Sequence, residues 1–211
     1  MIRNIVFDMG NVVLVFDPQR FMDNEGITDP KDRELVMREL FHNIEWAQMD
    51  LGVLTEETAE PLVLKRIPER LQGKVKRLLH SWWEPRECID GMEELLQELK
   101  AAGYRLYLLS NASVSQHIYW PRFAVSRLFD GKLISCDLGV VKPNPEIYRR
   151  FTDRFGLVPE ECLFVDDMTA NAAAAVSCGW KGIVFQGSAD DLRRRLRQEN
   201  IRISGHSSAD E

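Results

Sequence analysis

Short apolar runs, each closed by glycine, asparagine or an acidic residue, recur along the chain at residues 5–7, 106–109, 132–135, 163–165 and 182–185. Runs of this length with such punctuation predict buried β-strands. Between them the apolar period lengthens. Met92, Leu95, Leu96 and Leu99 recur at i, i+3, i+4 and i+7, the signature of one helix face, and Gly103 stands just past its end. Residues 145–155 and 169–177 also read as helices, the second carrying a small-residue face at Ala172 and Ala175. Alternating strands and helices predict an α/β chain with a parallel sheet and right-handed crossovers.

The stretch 17–85 breaks this alternation. It holds no convincing strand, and its pattern is helical. Val36, Met37, Leu40 and Phe41 form one apolar face, with Asp32, Arg33, Glu34 and Arg38 outside it. Thr55-Glu56-Glu57-Thr58 reads as a helix start. The expected organisation is a core from residues 1–16 and 86–203, an all-helical subdomain inserted at 17–85, and a small polar tail at 204–211.

Four polar features fall at or just beyond the C-terminal ends of predicted strands: Asp8, the pair Ser110-Asn111, Lys142-Pro143, and the pair Asp166-Asp167. Ligands of an open parallel sheet bind outside those ends. One fold therefore gathers acids, a hydroxyl, an amide and a lysine into one crevice. Carboxylates crowded there repel one another unless a cation joins them, and Mg²⁺ takes one or two carboxylates while keeping water and phosphate oxygens. Helix capping by Asp166 or Asp167 is the structural alternative for one of the pair. Ser110 and Asn111 suit a phosphate oxygen, although Ser-Asn is also a common turn pair. Lys142 could neutralise a phosphate or hold a nucleophilic carboxylate.

Charge and cysteine content narrow the classes. A formal net charge of −6 argues against a nucleic-acid binder, which is usually basic. The run Arg193-Arg194-Arg195 with Arg197 reads as a solvated face late in a helix. None of the four cysteines forms a C-x-x-C pair, which points to a reducing compartment. The first strand begins almost at once, so no signal peptide is expected. No apolar run approaches the ~20 residues that span a bilayer. The expectation is a cytoplasmic monomer or weak dimer acting on a small molecule.

Taken together, Phe7-Asp8-Met9-Gly10-Asn11-Val12, Leu109-Ser110-Asn111, Lys142-Pro143 and Phe164-Val165-Asp166-Asp167 resemble the four ordered motifs of the haloacid dehalogenase-like (HAD) hydrolase superfamily. The Asp-Met-Gly-Asn form, with Tyr119-Trp120-Pro121, is most similar to its bacterial sugar-phosphatase branch, which includes alpha-D-glucose-1-phosphate phosphatase. The resemblance implies a Rossmann-like core with a helical cap. It implies that Asp8 attacks phosphorus to form an aspartyl-phosphate. Mg²⁺ would be bound by Asp8, the Gly10 carbonyl and Asp167, with Asp166 in support. Ser110, Asn111 and Lys142 would hold the phosphoryl group of a small phosphate ester.

Gly10 departs from the superfamily's commoner pattern, in which an aspartate two residues after the nucleophile moves protons. General acid–base catalysis contributes roughly 10²–10⁴-fold. A sugar 1-phosphate with a better leaving group would need it less. Another residue or an ordered water could replace it, with His42, Glu45, Asp50 and His117 as candidates. Alternatively the chain is a weak enzyme or a non-catalytic regulator that binds phosphometabolites. A metal-independent 2-haloacid dehalogenase also uses an aspartate nucleophile, but it has little use for the Asp166-Asp167 pair. Phe41, Trp46, Trp82 and Trp83 could face a sugar ring or simply pack the helical insert.

Overall fold

The computed structural model describes residues 1–84 and 87–203. The 85/86 domain boundary and the 204–211 tail expected from the sequence lie outside the described residues. In chain order the elements are β1 (Asn4–Phe7), α1 (Pro18–Asn24), α2 (Pro30–Val36), α3 (Ile44–Asp50), α4 (Glu56–Leu64), α5 (Glu69–Ser81) and α6 (Met92–Ala101). Then come β2 (Arg105–Ser110), α7 (Gln116–Tyr119), β3 (Gly131–Ile134), α8 (Pro145–Phe155), β4 (Cys162–Asp166), α9 (Thr169–Ser177), β5 (Lys181–Val184) and α10 (Ala189–Gln198).

All five predicted strands form one parallel sheet in the order β3-β2-β1-β4-β5. The strands are apolar throughout because both sheet faces are covered. Ile5 and Phe7 of β1 face a layer with Leu95, Leu96 and Leu99 of α6 and Leu192 and Leu196 of α10. Val6 faces the opposite layer, with Ile147, Tyr148 and Phe151 of α8 and Ala175 of α9. The small-residue face of α9 has a packing cause. A side chain at Gly182 of β5 would collide with the Ala172 carbonyl, so the two backbones approach closely.

The strand order puts β1 at the centre, with β2 on one side and β4 on the other. The carboxyl ends of these three strands carry Asp8, Ser110 and Asp166. The chain leaves the sheet after β1 and returns before α6 along a short antiparallel contact, in which Val15 N–H donates to the Glu87 carbonyl (3.0 Å) and Ile89 N–H to the Val13 carbonyl (3.0 Å).

Between those two crossings the described residues are helical, as expected. Thr55 caps α4 in a reciprocal pair with Thr58. Two details differ from the sequence reading. The helix after α2 continues as a π-helical turn over Met37–Phe41, closed by His42 N–H on the Met37 carbonyl (2.8 Å). Asp32, expected on the solvent side, is buried, because Arg70 of α5 clasps both of its oxygens. Two arginines of α10 are paired: Arg193 with Glu98 of α6 (3.0 Å) and with Asp190 (2.7 Å), and Arg194 with Asp191. No helix among the described residues is long and apolar enough to cross a membrane.

Candidate active site

Asp8 extends the β1 ladder by one hydrogen bond, its N–H donating to the Val165 carbonyl of β4 (2.8 Å). Its carboxylate thus emerges at the carboxyl edge between β1 and β4. Oδ1 accepts from Met9 N–H (2.7 Å) and lies 2.7 Å from Lys142 Nζ.

Lys142 arrives from the loop between β3 and α8, through a cis peptide to Pro143. Its ammonium is buried and makes three contacts: Asp8 Oδ1, Asp166 Oδ2 (2.8 Å) and the Leu109 carbonyl (3.0 Å). An ammonium has three donors, so every one is used. Burial alone would lower the Lys142 pKa, but Asp8 and Asp166 outweigh it and hold the group above its ordinary value. Burial pushes Asp8 up to about 6, with Lys142 pulling it down and Asp166 pushing it further up.

Asp166 sits behind this pair and is fully buried. Besides Lys142 it accepts from Met168 N–H (2.8 Å) and from the side-chain amide of Asn171 on both oxygens (3.0 and 3.1 Å). Asp167 is half-buried and lines the cavity beside Asn11. Its desolvation and the Asp166 charge raise its pKa, and Lys142 opposes them.

Ser110 closes β2, almost wholly buried at the cavity wall. Asn111 also reaches the wall, but both polar atoms of its amide are engaged. Oδ1 accepts from Lys142 N–H (2.8 Å) and Nδ2 donates to the Lys142 carbonyl (3.0 Å). The sequence-predicted residues Asp8, Gly10, Ser110, Asn111, Lys142 and Asp167 therefore line one cavity of about 250 Å³, with Asp166 just beneath it.

Segments outside the sheet supply the opposite wall: the stretch before α1, helix α3, the turn after α5, and α7. Phe16, Trp46, Trp82 and Tyr119 form an aromatic side, with Phe16 edge-on to Trp82 (5.0 Å) and Trp82 edge-on to Tyr119 (5.3 Å). Trp83 is stacked on Tyr119 under Arg122 and does not reach the cavity. Two acids, Asp50 at the end of α3 and Glu56 at the start of α4, also face inward. Of the four residues considered as stand-ins for an acid at Gly10, only Asp50 lies here. Glu45 is clasped by Arg66 (2.8 and 3.0 Å), His42 is exposed, and His117 pairs outside with Asp137 (2.9 Å). Sequence reasoning missed Glu56, which looked like an ordinary first-turn acid. It also missed Asn171, although a position five residues past a strand-end acid puts it on the first turn of the next helix.

Asp8, Asp166 and Asp167 each offer a carboxylate oxygen within 4.8 Å of the others. Hard oxygen donors at that spacing fit Mg²⁺. Asp8 and Asp167 present theirs to the cavity, while the oxygens of Asp166 are already occupied by lysine, amide and backbone donors.

The family model for haloacid dehalogenase-like hydrolases matches residues 2–179. The chain belongs to that family. This hydrolase is similar to flavin mononucleotide hydrolase 1 of Arabidopsis thaliana, 29% identical over 164 residues that cover 77% of this chain and 65% of that protein. It is also similar to (S)-2-haloacid dehalogenase 4A of Burkholderia cepacia, 29% identical over 135 residues, 64% of this chain and 58% of that one. The chain thus spans less than two thirds of either relative's length. Among solved structures it resembles a wild-type HAD family enzyme of Bacteroides thetaiotaomicron in complex with magnesium and inorganic phosphate. The TM-score is 0.65 at 21% identity, over 91% of this chain and 99% of that one. At that identity the likeness is one of fold.

Proposed function

We propose that this hydrolase is a Mg²⁺-dependent phosphatase of small phosphometabolites, sugar phosphates such as hexose 1-phosphates, acting through an aspartyl-phosphate on Asp8. The observation that carries this reading is the clasp of Lys142 between Asp8 and Asp166, with Asp167 facing the same cavity. Phosphoryl transfer demands positioning and charge neutralisation above all. The clasp supplies both, because it aims one oxygen of Asp8 away from the lysine, and the Lys142 charge pulls the Asp8 pKa down against burial and Asp166. The magnesium and phosphate of the Bacteroides structure and the phosphate-ester chemistry in the name of the Arabidopsis relative support the same reading.

In this reading Asp8, Asp167 and the Gly10 carbonyl hold Mg²⁺, with Asp166 supporting from beneath. The ion, when bound, neutralises charge on the phosphoryl oxygens. Ser110 and the Asn111 turn receive the phosphoryl group, and Asn111 also fixes Lys142. The helical insert at 17–85 acts as a cap whose Trp46 and Trp82, beside Phe16 and Tyr119, meet the organic part of the ester. A cavity of a few hundred Å³ suits a compact metabolite. Four unpaired cysteines suit a reducing cytoplasm.

A 2-haloacid substrate would bring its own carboxylate into a cavity already lined by Asp8, Asp50, Glu56 and Asp167, with one lysine whose donors are all in use. That crowding disfavours the dehalogenase reading. The deciding experiment is a panel of phosphomonoesters with Mg²⁺ and with EDTA, alongside 2-chloropropionate. Phosphate release that EDTA stops and Asp8→Asn abolishes is the expected result. Chloride release without metal would overturn the reading, and tight binding of an ester with no turnover would favour the regulator.

A further inference from the structure

We propose that the side-chain carboxyl of Asp50, delivered by the helical insert, is the general acid and base that position 10 does not supply; this inference rests on the phosphatase reading above. An alkoxide leaves phosphorus poorly without a proton, and Gly10 offers none. The titratable side chains that line the cavity are Asp8, Asp50, Glu56, Tyr119, Lys142 and Asp167. Asp8 is the nucleophile, Asp167 faces the cation, and Lys142 has every donor engaged. Glu56 accepts a hydrogen bond from Ser113 Oγ, and the Tyr119 hydroxyl points at Met9 Sδ (3.6 Å). Asp50 is different. Among the described residues no hydrogen bond or ion pair engages its carboxyl group.

The position of that carboxyl is set by its backbone. The Asp50 carbonyl, at the C-terminus of α3, accepts from Ser135 Oγ (2.5 Å), and the same hydroxyl accepts from Ala112 N–H (3.0 Å). Both residues belong to loops that follow core strands. Two residues on, Gly52 takes a left-handed φ of 71°, and any side chain there would collide with the Cys136 carbonyl. The end of α3 is therefore fastened to the carboxyl edge of the sheet, and Asp50 is held over the site rather than carried on a free lid. The groups facing it are Asp8 from β1, Glu56 from α4, Tyr119 from α7, Lys142 from the loop before α8 and Cys136 after β3. Burial first, then the Asp8 and Glu56 charges, push it up to about 7 against the pull of Lys142. A proton donor with affinity near the working pH is the efficient kind.

The chemistry balances in two half-reactions. Asp8 Oδ attacks phosphorus as the bond from phosphorus to the leaving oxygen breaks, and the Asp50 proton passes to that oxygen, releasing an alcohol and leaving Asp50 ionised. Asp50 then takes a proton from water, whose oxygen attacks the phosphorus of the aspartyl-phosphate. The bond to Asp8 breaks, phosphate departs, and Asp50 is protonated again.

The test compares wild type, Asp50→Asn and Glu56→Gln on β-glycerophosphate, a poor leaving group, and 4-nitrophenyl phosphate, a good one, with Mg²⁺ across pH 5–9. Because kcat/KM reports only the first half-reaction for a ping-pong enzyme, Asp50→Asn should lose about 10²–10³-fold on β-glycerophosphate and less than tenfold on 4-nitrophenyl phosphate. The basic limb of the wild-type profile should vanish with it. The Asp50 contact to Ser135 is made by the backbone, so it survives the substitution. As a second variant, Asp50→Ala should recover turnover on added formate. Equal losses on both esters, an unchanged basic limb, or the leaving-group signature moving to Glu56→Gln would overturn the assignment. If wild type is active and Asp50→Asn is unimpaired, the Asp50 role alone fails. If wild type cleaves neither ester, the phosphatase reading fails and takes this inference with it.

Discussion

Asn111 and Lys142 hold each other through a closed pair of hydrogen bonds, the Lys142 N–H on Asn111 Oδ1 and the Asn111 amide on the Lys142 carbonyl. The loop carrying the lysine is thereby tied to the end of β2, next to the strand that carries Asp8. The side chain of Lys142 then spans from that anchor to Asp8 and Asp166.

Asn111→Ala removes both bonds and leaves a buried N–H and carbonyl without partners. Each such loss costs about 1–3 kcal/mol. The expected outcome is a folded protein destabilised by roughly 2–4 kcal/mol in urea, with phosphatase kcat down at least tenfold because the ammonium is no longer held on Asp8. A drop in stability with unchanged kcat would show that the pair serves the loop and not the lysine.

How much of this was legible beforehand follows from what each feature depends on. The five strands and α6, α8 and α9 are visible because a sheet buried on both faces needs unbroken apolar runs, and its helices need one apolar stripe. Asp8 and Asp166 are visible because charge at a strand end is conspicuous, whereas Lys142, in the loop between β3 and α8, stands out only together with the other motifs. Asp32 and Glu56 were misjudged because their burial depends on Arg70 and Ser113, which are remote in sequence. The same holds for Asp50. Sequence offered four equivalent candidates, and tertiary contacts separate them: the docking of α3 on Ser135 and Cys136 brings Asp50 to the cavity, while Arg66 clasps Glu45, Asp137 pairs with His117 and His42 is exposed.

Metal binding makes its own prediction. A cation held by Asp8 and Asp167 stabilises the folded chain by an amount that grows with its concentration, about 2.7 kcal/mol at a hundredfold excess over Kd. Mg²⁺ should raise the Tm of wild type, and the rise should disappear in Asp167→Asn. The same substitution should leave Tm in EDTA equal or higher, because it removes one of the crowded carboxylates. A Mg²⁺ shift that persists in Asp167→Asn would remove this residue from the site.

The elevated carboxyls make stability fall with pH. Asp50 is pushed up to about 7 and Asp8 to about 6, against roughly 4 in an unfolded chain. Between those limits the folded state holds protons that the unfolded state has released. The stabilising contribution is therefore complete below about pH 4 and is lost as pH rises through 6 and 7. Asp50→Asn is neutral at every pH. Its advantage over wild type in urea, measured in EDTA, should be small at pH 5 and grow to roughly 1–3 kcal/mol by pH 8. A constant difference across that range would place the Asp50 proton affinity near that of an ordinary aspartate.

Position 10 can be refilled. A β-carbon at Gly10 would meet Phe16 Cβ at 3.5 Å, an ordinary contact, and the backbone there is not left-handed. Nothing steric or conformational demands glycine, so Gly10→Asp should fold with stability within about 1 kcal/mol of wild type when Mg²⁺ offsets the added charge. The informative background is Asp50→Asn. There, a carboxyl reintroduced at position 10 beside Asp8 should restore at least tenfold in kcat/KM on β-glycerophosphate and little on 4-nitrophenyl phosphate, since only the alkoxide needs the proton. In the wild-type background the two acids are redundant, and the gain should be less than threefold. A large gain in wild type with none in Asp50→Asn would mean that Asp50 moves no proton and that the chain, as it stands, works without an acid.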